Sequence, residues 1–143
     1  LKGNNVNKID KIINSTIVKH TTLIQEYLDC NDDEGESMED YVANFDLRRM
    51  LSLAAFFDDY HITDMLVGVT VITVIKSEYF DNNPVSFVVH ISHVDASIYV
   101  RRTGMYYSYD GIEWDDEIEE VFPVEVMVTK FKNAQGCVYT EST

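Results

Sequence analysis

The residues best placed to do chemistry are carboxylates. Between Asp110 and Glu120, in the run DGIEWDDEIEE, stand Asp110, Glu113, Asp115, Asp116, Glu117, Glu119 and Glu120, with no lysine or arginine among them. The only tryptophan of the chain, Trp114, lies in their midst. Crowded like charges repel, and salt screens them only in part, so such a run is either a solvated surface or a surface matched to cations. An outward indole beside it has the makings of a binding centre, which Tyr106, Tyr107 and Tyr109 would extend. The alternative is a solvated hairpin with Trp114 folded inward against a sheet.

A second acidic run, Asp29 to Asp40, also lacks a base and includes Asp32-Asp33-Glu34-Gly35-Glu36. A calcium loop of the EF-hand type needs alternating oxygens, glycine at its sixth position and glutamate at its twelfth. Counted from Asp29, the sixth residue is Glu34, so the pattern fails and a solvated loop is expected. His90 and His93 fall three apart in a strand-like stretch and would point to opposite faces, which makes them poor joint metal ligands. His93 and Asp95 have the types of an acid–base pair, but Asp95 stands where a turn is expected. Cys30 and Cys137 have neither a CxxC spacing nor a neighbouring histidine. They are expected to be free thiols in a reducing compartment. Arg48-Arg49 and Arg101-Arg102 read as internal counter-charges rather than a phosphate site. No catalytic residue, metal site or cofactor is expected.

Composition narrows the partner further. A formal charge of −14 on 143 residues disfavours nucleic acid and anionic membranes and favours a basic protein partner. Nine tyrosines and seven phenylalanines supply a core, and a chain of this length buries about two-thirds of its unfolded surface. One domain over residues 1–143 is expected, with the order of monomer or homodimer left open. Leu1 to Asn7 show no signal-peptide pattern, and the longest apolar run, Met65 to Ile75, is too short for a membrane helix. A cytoplasmic location is expected, although a chain that starts without methionine leaves a removed leader open.

The elements that must carry these residues divide into two halves. In the helical half, about 8–62, Asn7 is expected to cap a helix over 8–29. Its stripe is Ile9, Ile12, Ile13, Ile17, Ile24, Tyr27 and Leu28. Cys30 to Ser37 reads as a loop. Ser37 with Asp40 opens a second helical stretch, and Asp46 restarts it, giving one bent helix or two short ones between about 38 and 60. In the β half, about 65–141, the Val/Ile/Thr-rich run Met65 to Lys76 reads as a strand covered on both faces. Asp81-Asn82-Asn83-Pro84 is a turn, and Val85 to Val94 pairs with Ala96 to Arg102 around Asp95. Thr103-Gly104 is expected to reverse the chain into Met105 to Tyr109. After the acidic run, Pro123 is expected to open an edge strand alternating Val124, Val126 and Val128 with Glu125, Met127 and Thr129. A turn at Asn133 to Gly136 then leads to a short strand, Cys137 to Thr140. Helices first and a meandering sheet after argue for an α+β fold, its helices on one face of a mostly antiparallel sheet.

Ser108-Tyr109-Asp110-Gly111-Ile112-Glu113-Trp114 resembles the Asp-box hairpin of bacterial sialidases and related β-propellers. It is one residue shorter between Asp and Trp and occurs once, so the resemblance implies a turn and no activity. Lys19 to Glu36 is similar to part of the adaptor family built on the BTB/POZ fold, a likeness too local to carry a function. The function expected is that of an acidic inhibitor or immunity-type protein that neutralises a basic target such as a nuclease toxin by charge mimicry. The alternative is an adaptor or chaperone-like scaffold that binds a client through an apolar sheet or helix face.

Overall fold

A computed structural model describes residues 4–30, 36–77, 83–108, 111–136 and 138–140. Its order is α1 (Asn4–Ser15), α2 (Thr22–Cys30), α3 (Met38–Ala43), α4 (Leu47–Phe56), α5 (Asp59–Met65), then β1 (Thr70–Lys76), β2 (Asn83–His93), β3 (Ala96–Tyr107), β4 (Gly111–Val121), β5 (Lys130–Lys132) and β6 (Val138–Thr140). Strands β1-β2-β3-β4 form one antiparallel sheet in chain order, and β5 pairs with β6 in a separate hairpin. This is the expected α+β arrangement.

The helices cover one face of the sheet because their apolar stripes have a single matching surface. Val6, Ile9 and Ile13 of α1, Leu47, Met50, Leu51 and Leu53 of α4 and Ile62 and Met65 of α5 are fully buried. They share one cluster with Val71, Phe87, Val89, Ile91, Ile98, Val100 and Ile118 of the sheet. Alternate sheet residues such as Ser86, Val88, His90 and Tyr99 face the other way and are half-exposed, so that face is bare. Among the described residues no helix is long and apolar enough to cross a membrane.

The expected helix over 8–29 is broken in two. Thr16-Ile17-Val18 is a β-branched run with poor helix propensity. It forms backbone contacts elsewhere: Val18 bridges Leu66, Lys19 N–H donates to Met65 O at 2.7 Å, and Val67 N–H donates to Ile17 O at 3.2 Å. His20 takes a left-handed conformation, φ 55°, before α2 starts. Ile17, placed on the apolar stripe by periodicity, is therefore exposed. The second stretch divides at the expected caps. Asp40 N–H donates to Ser37 Oγ at 3.2 Å, and Arg49 N–H donates to Asp46 Oδ1 at 2.9 Å.

Three expectations in the β half change. The strand from Met65 shortens to β1, an edge strand whose Ile72, Val74 and Ile75 are exposed, since no described element covers the outer face. Thr103-Gly104 does not reverse the chain; β3 runs through it to Tyr107. The run after Pro123 is not a strand: residues 122–129 have no regular structure. The turn at 81–84 falls partly outside the described residues, as do Cys137 and the loop at 31–35, whereas Cys30 is an exposed free thiol.

Tyr41 offers a test of how α3 seats on α4. Its hydroxyl donates to Arg49 O at 3.1 Å, and the Arg49 guanidinium lies 5.7 Å from its ring centre. Burial foremost, then repulsion from Tyr27, pushes the hydroxyl far above the usual tyrosine range. Ionisation above pH of about 10 thus favours the unfolded chain, and the stability Tyr41 contributes below that pH is lost as pH rises. Tyr41→Phe should cost about 1 kcal/mol at pH 7 through the lost hydrogen bond. The gap to wild type should close as pH climbs past about 10, read by urea unfolding at each pH.

Candidate functional site

The acidic run is itself a strand, β4, and it lies at the edge of the sheet. The sequence reading left it unassigned between the expected strands at 105–109 and after Pro123, because its carboxylates disfavour strand formation locally. Pairing with β3 overrides that preference, with Met105 opposite Glu113, Arg101 opposite Glu119 and Tyr107 opposite Gly111. A bulge between Arg102 and Gly104 gives β4 two extra residues, so the alternation of faces is kept across it.

That alternation sorts the run. Glu113, Asp115, Glu117 and Glu119 are exposed, and Ile118 is buried on the opposite face. Glu120 is half-buried, and its Oε2 accepts from Asn5 Nδ2 of α1 at 3.3 Å. On the exposed face Thr103 Oγ1 donates to Asp115 Oδ2, and Arg101 lies 3.8 Å from Glu119. Tyr107 is half-buried at the end of β3, beside Gly111. The backbone of Asp116 belongs to β4, while Asp110 and Tyr109 lie outside the described residues.

Trp114 turns inward. Its ring meets Phe87 edge-on at 5.3 Å between centroids, and the Arg102 guanidinium lies 4.9 Å from the indole centre. The expected outward indole is thus replaced by a half-buried ring packed on the core, its edge still reaching a shallow open hollow with Met105, Glu113 and Asp115. The reason is Gly104. A Cβ there would stand 2.6 Å from Glu113 O and 3.1 Å from both Trp114 Cα and Cε3, so glycine lets the indole lie across β3.

Arg102 is the residue that sequence reasoning misplaced. Expected as an internal counter-charge, it is buried with no carboxylate in salt-bridge range among the described residues, and its Nη1 donates to Arg48 O at 3.2 Å and to Ser52 Oγ at 3.0 Å. Its Nε has no hydrogen-bond partner among the described residues. Burial foremost, with repulsion from Arg48, brings its pKa down to about 10. The signal was present: Arg102 alternates with Ile98 and Val100, the buried face of β3. Arg49 and Arg101 do act as counter-charges, Arg49 to Glu36 at 3.6 Å and Asp46 at 3.4 Å.

The histidines are structural in their contacts. His90 Nε2 shares a hydrogen with Ser97 Oγ at 2.7 Å, and its ring stacks on Tyr99 at 4.3 Å. His93 Nδ1 accepts from Asp95 N–H at 3.1 Å, which closes the β2–β3 turn. Among the described residues no group of His, Cys, Asp and Glu is arranged to hold a metal. Comparison with family models, characterised proteins and solved structures found no match.

Gly104→Ala should force β4 or the indole away from β3 and cost roughly 1–3 kcal/mol. Thermal unfolding reads the loss, and the emission of the single tryptophan should move to longer wavelength as the ring gains water.

Proposed function

We propose that the chain is a non-enzymatic, acidic inhibitor or immunity-type protein that docks a basic target, such as a nuclease toxin. The observation that carries this reading is the row Glu113, Asp115, Glu117 and Glu119, exposed on one face of an edge strand. Alternate residues of a regular strand stand roughly 7 Å apart, and the row sets four negative charges along one edge as a phosphodiester backbone does, its spacing altered where the bulge falls at 115–117. A cleft built to hold phosphates would receive it, and the chain's net charge of −14 would speed the encounter. Met105 and Tyr107 supply apolar surface at the strand end, the part first assigned to Trp114, whose indole contributes only its edge. Asp110, Asp116 and Tyr109 stay in the proposal as neighbours in sequence.

A second reading is an adaptor that binds an apolar client segment. It is favoured by Ile72, Val74 and Ile75, exposed on the bare face of β1. Salt separates the two, since a steered charge contact weakens with ionic strength and an apolar one does not.

The decisive variant combines Glu113→Gln, Asp115→Asn, Glu117→Gln and Glu119→Gln. Against a target captured by the wild-type chain at low salt, its association should be at least about tenfold slower and nearly independent of salt. An unchanged association rate would reject the acidic face as the docking surface.

A further inference from the structure

After β4 the chain runs from Phe122 to Phe131 almost wholly in solvent. Phe122, Val124, Val126, Met127, Val128 and Phe131 are between 53 and 103 % exposed. So much contiguous apolar surface is unusual for a chain with no partner. The segment has the composition of a strand, with Val124, Val126 and Val128 alternating, yet residues 122–129 pair with nothing in a ladder.

Its own sheet is the nearest template, but the connection forbids a tight return. Only Phe122 and Pro123 separate β4 from Val124. The two-residue turns that join antiparallel strands need a positive φ at their first position, which a phenylalanine resists. Proline holds φ near −65°, which excludes the commoner turn with two positive φ values. The segment therefore leaves the edge it would otherwise complete.

The two edges of the sheet are not equivalent as receptors. On β1, Val71 N–H donates to Thr63 Oγ1 at 2.9 Å, and Thr73 N–H donates to Asp59 Oδ2 at 2.7 Å. Those contacts with α5 close that edge. Among the described residues strand β4 has a neighbour on one side only. Its carboxylates would repel a second β4, so a pairing of two β4 edges is disfavoured. They suit a strand that carries cations, and Lys130 and Lys132 are exposed, two apart and without an ion pair among the described residues. Two lysines at that spacing match two successive carboxylates of the β4 face.

We propose that the segment 124–132 of one copy adds as an antiparallel strand to the β4 edge of a second copy, reciprocally, giving a closed two-fold dimer. Strand addition uses the in-plane backbone groups of β4, so the pairing itself rests on β4 being an open edge and not on the inhibitor reading. Val124, Val126 and Val128, which alternate onto the same face as Lys130 and Lys132, gain backbone partners on β4, and β5 brings β6 along as the new outer strand. The Phe122-Pro123 hinge sends the segment outward, the arrangement in which exchange between protomers is easiest.

Sedimentation equilibrium of the whole chain tests this over about 1–100 µM, a range that brackets ordinary dimer affinities. The expected mass is twice the 16.5 kDa of one chain. Val126→Pro removes a backbone donor that no ladder among the described residues uses, so it should give a monomer that still unfolds cooperatively, with a thermal midpoint no longer dependent on protein concentration. Lys130→Glu with Lys132→Glu should weaken the dimer by about tenfold at low salt and less at high salt. A monomer for the wild-type chain across the range overturns the proposal. So does a dimer that Val126→Pro leaves intact, because another surface would then hold it. Sedimentation of the chain alone reads self-association and the capture experiment reads association with a second protein, so failure of one is distinguishable from failure of the other.

Discussion

The backbone amides of Val71 and Thr73 point away from the sheet, and α5 meets both with side-chain oxygens. Thr63 Oγ1 accepts from Val71 N–H and donates back to Val71 O, while Asp59 takes Thr73 through both its amide and its hydroxyl. An edge strand otherwise presents a row of unpaired groups as a template for any other strand. Here one helix closes the edge, and the bridge between Val18 and Leu66 holds the chain just after that helix. The remaining open edge is β4.

What faces outward on β4 is decided from the inside. Trp114 is fixed between Phe87 and the Arg102 guanidinium, and Gly104 gives it room to lie against β3. With Trp114 and Ile118 committed to the core, Glu113, Asp115, Glu117 and Glu119 have only the opposite face. Shifting the strand by one residue would drive carboxylates into the cluster around Phe87 and Val100, at several kcal/mol per unpaired charge. The register of β4 is therefore secured by apolar contacts, and the acidic face is its consequence. Arg102 adds to this at some expense. Its charge is desolvated without a carboxylate within salt-bridge reach among the described residues, and only Arg48 O, Ser52 Oγ and the indole face compensate it.

The order of helices and strands was legible because periodicity and turn chemistry act locally. Ser37 and Asp46 are helix caps whether or not the rest of the chain is known, and Asp95 turns β2 into β3. Residues 16–20 were not legible, since what ends α1 is pairing with residues 65–67, a third of the chain away. Gly104 shows the same limit in reverse. As a sequence feature Thr-Gly before Met105 reads as a turn, whereas its actual use is a close approach by Trp114 from the next strand. The acidic run was recognisable as a site candidate from composition alone. Its sorting into an outer row and an inner indole required the register with β3, including a bulge that no local signal marks.

The last link is between charge and selectivity. Neighbouring carboxylates at roughly 7 Å in water repel by about 0.6 kcal/mol per pair, a load that solvent and salt make tolerable on an exposed face. The same repulsion becomes prohibitive when a second acidic strand is brought alongside, where the charges approach to about 5 Å with less water between them. The row therefore discriminates by sign before it discriminates by shape. Neutral apolar strands gain backbone pairing but desolvate the carboxylates, and acidic ones are rejected outright. A strand or a cleft that brings its own cations escapes both penalties. Charge on β4 thus disfavours pairing with a second acidic strand, and the proposed docking of a cationic surface rests on the same row.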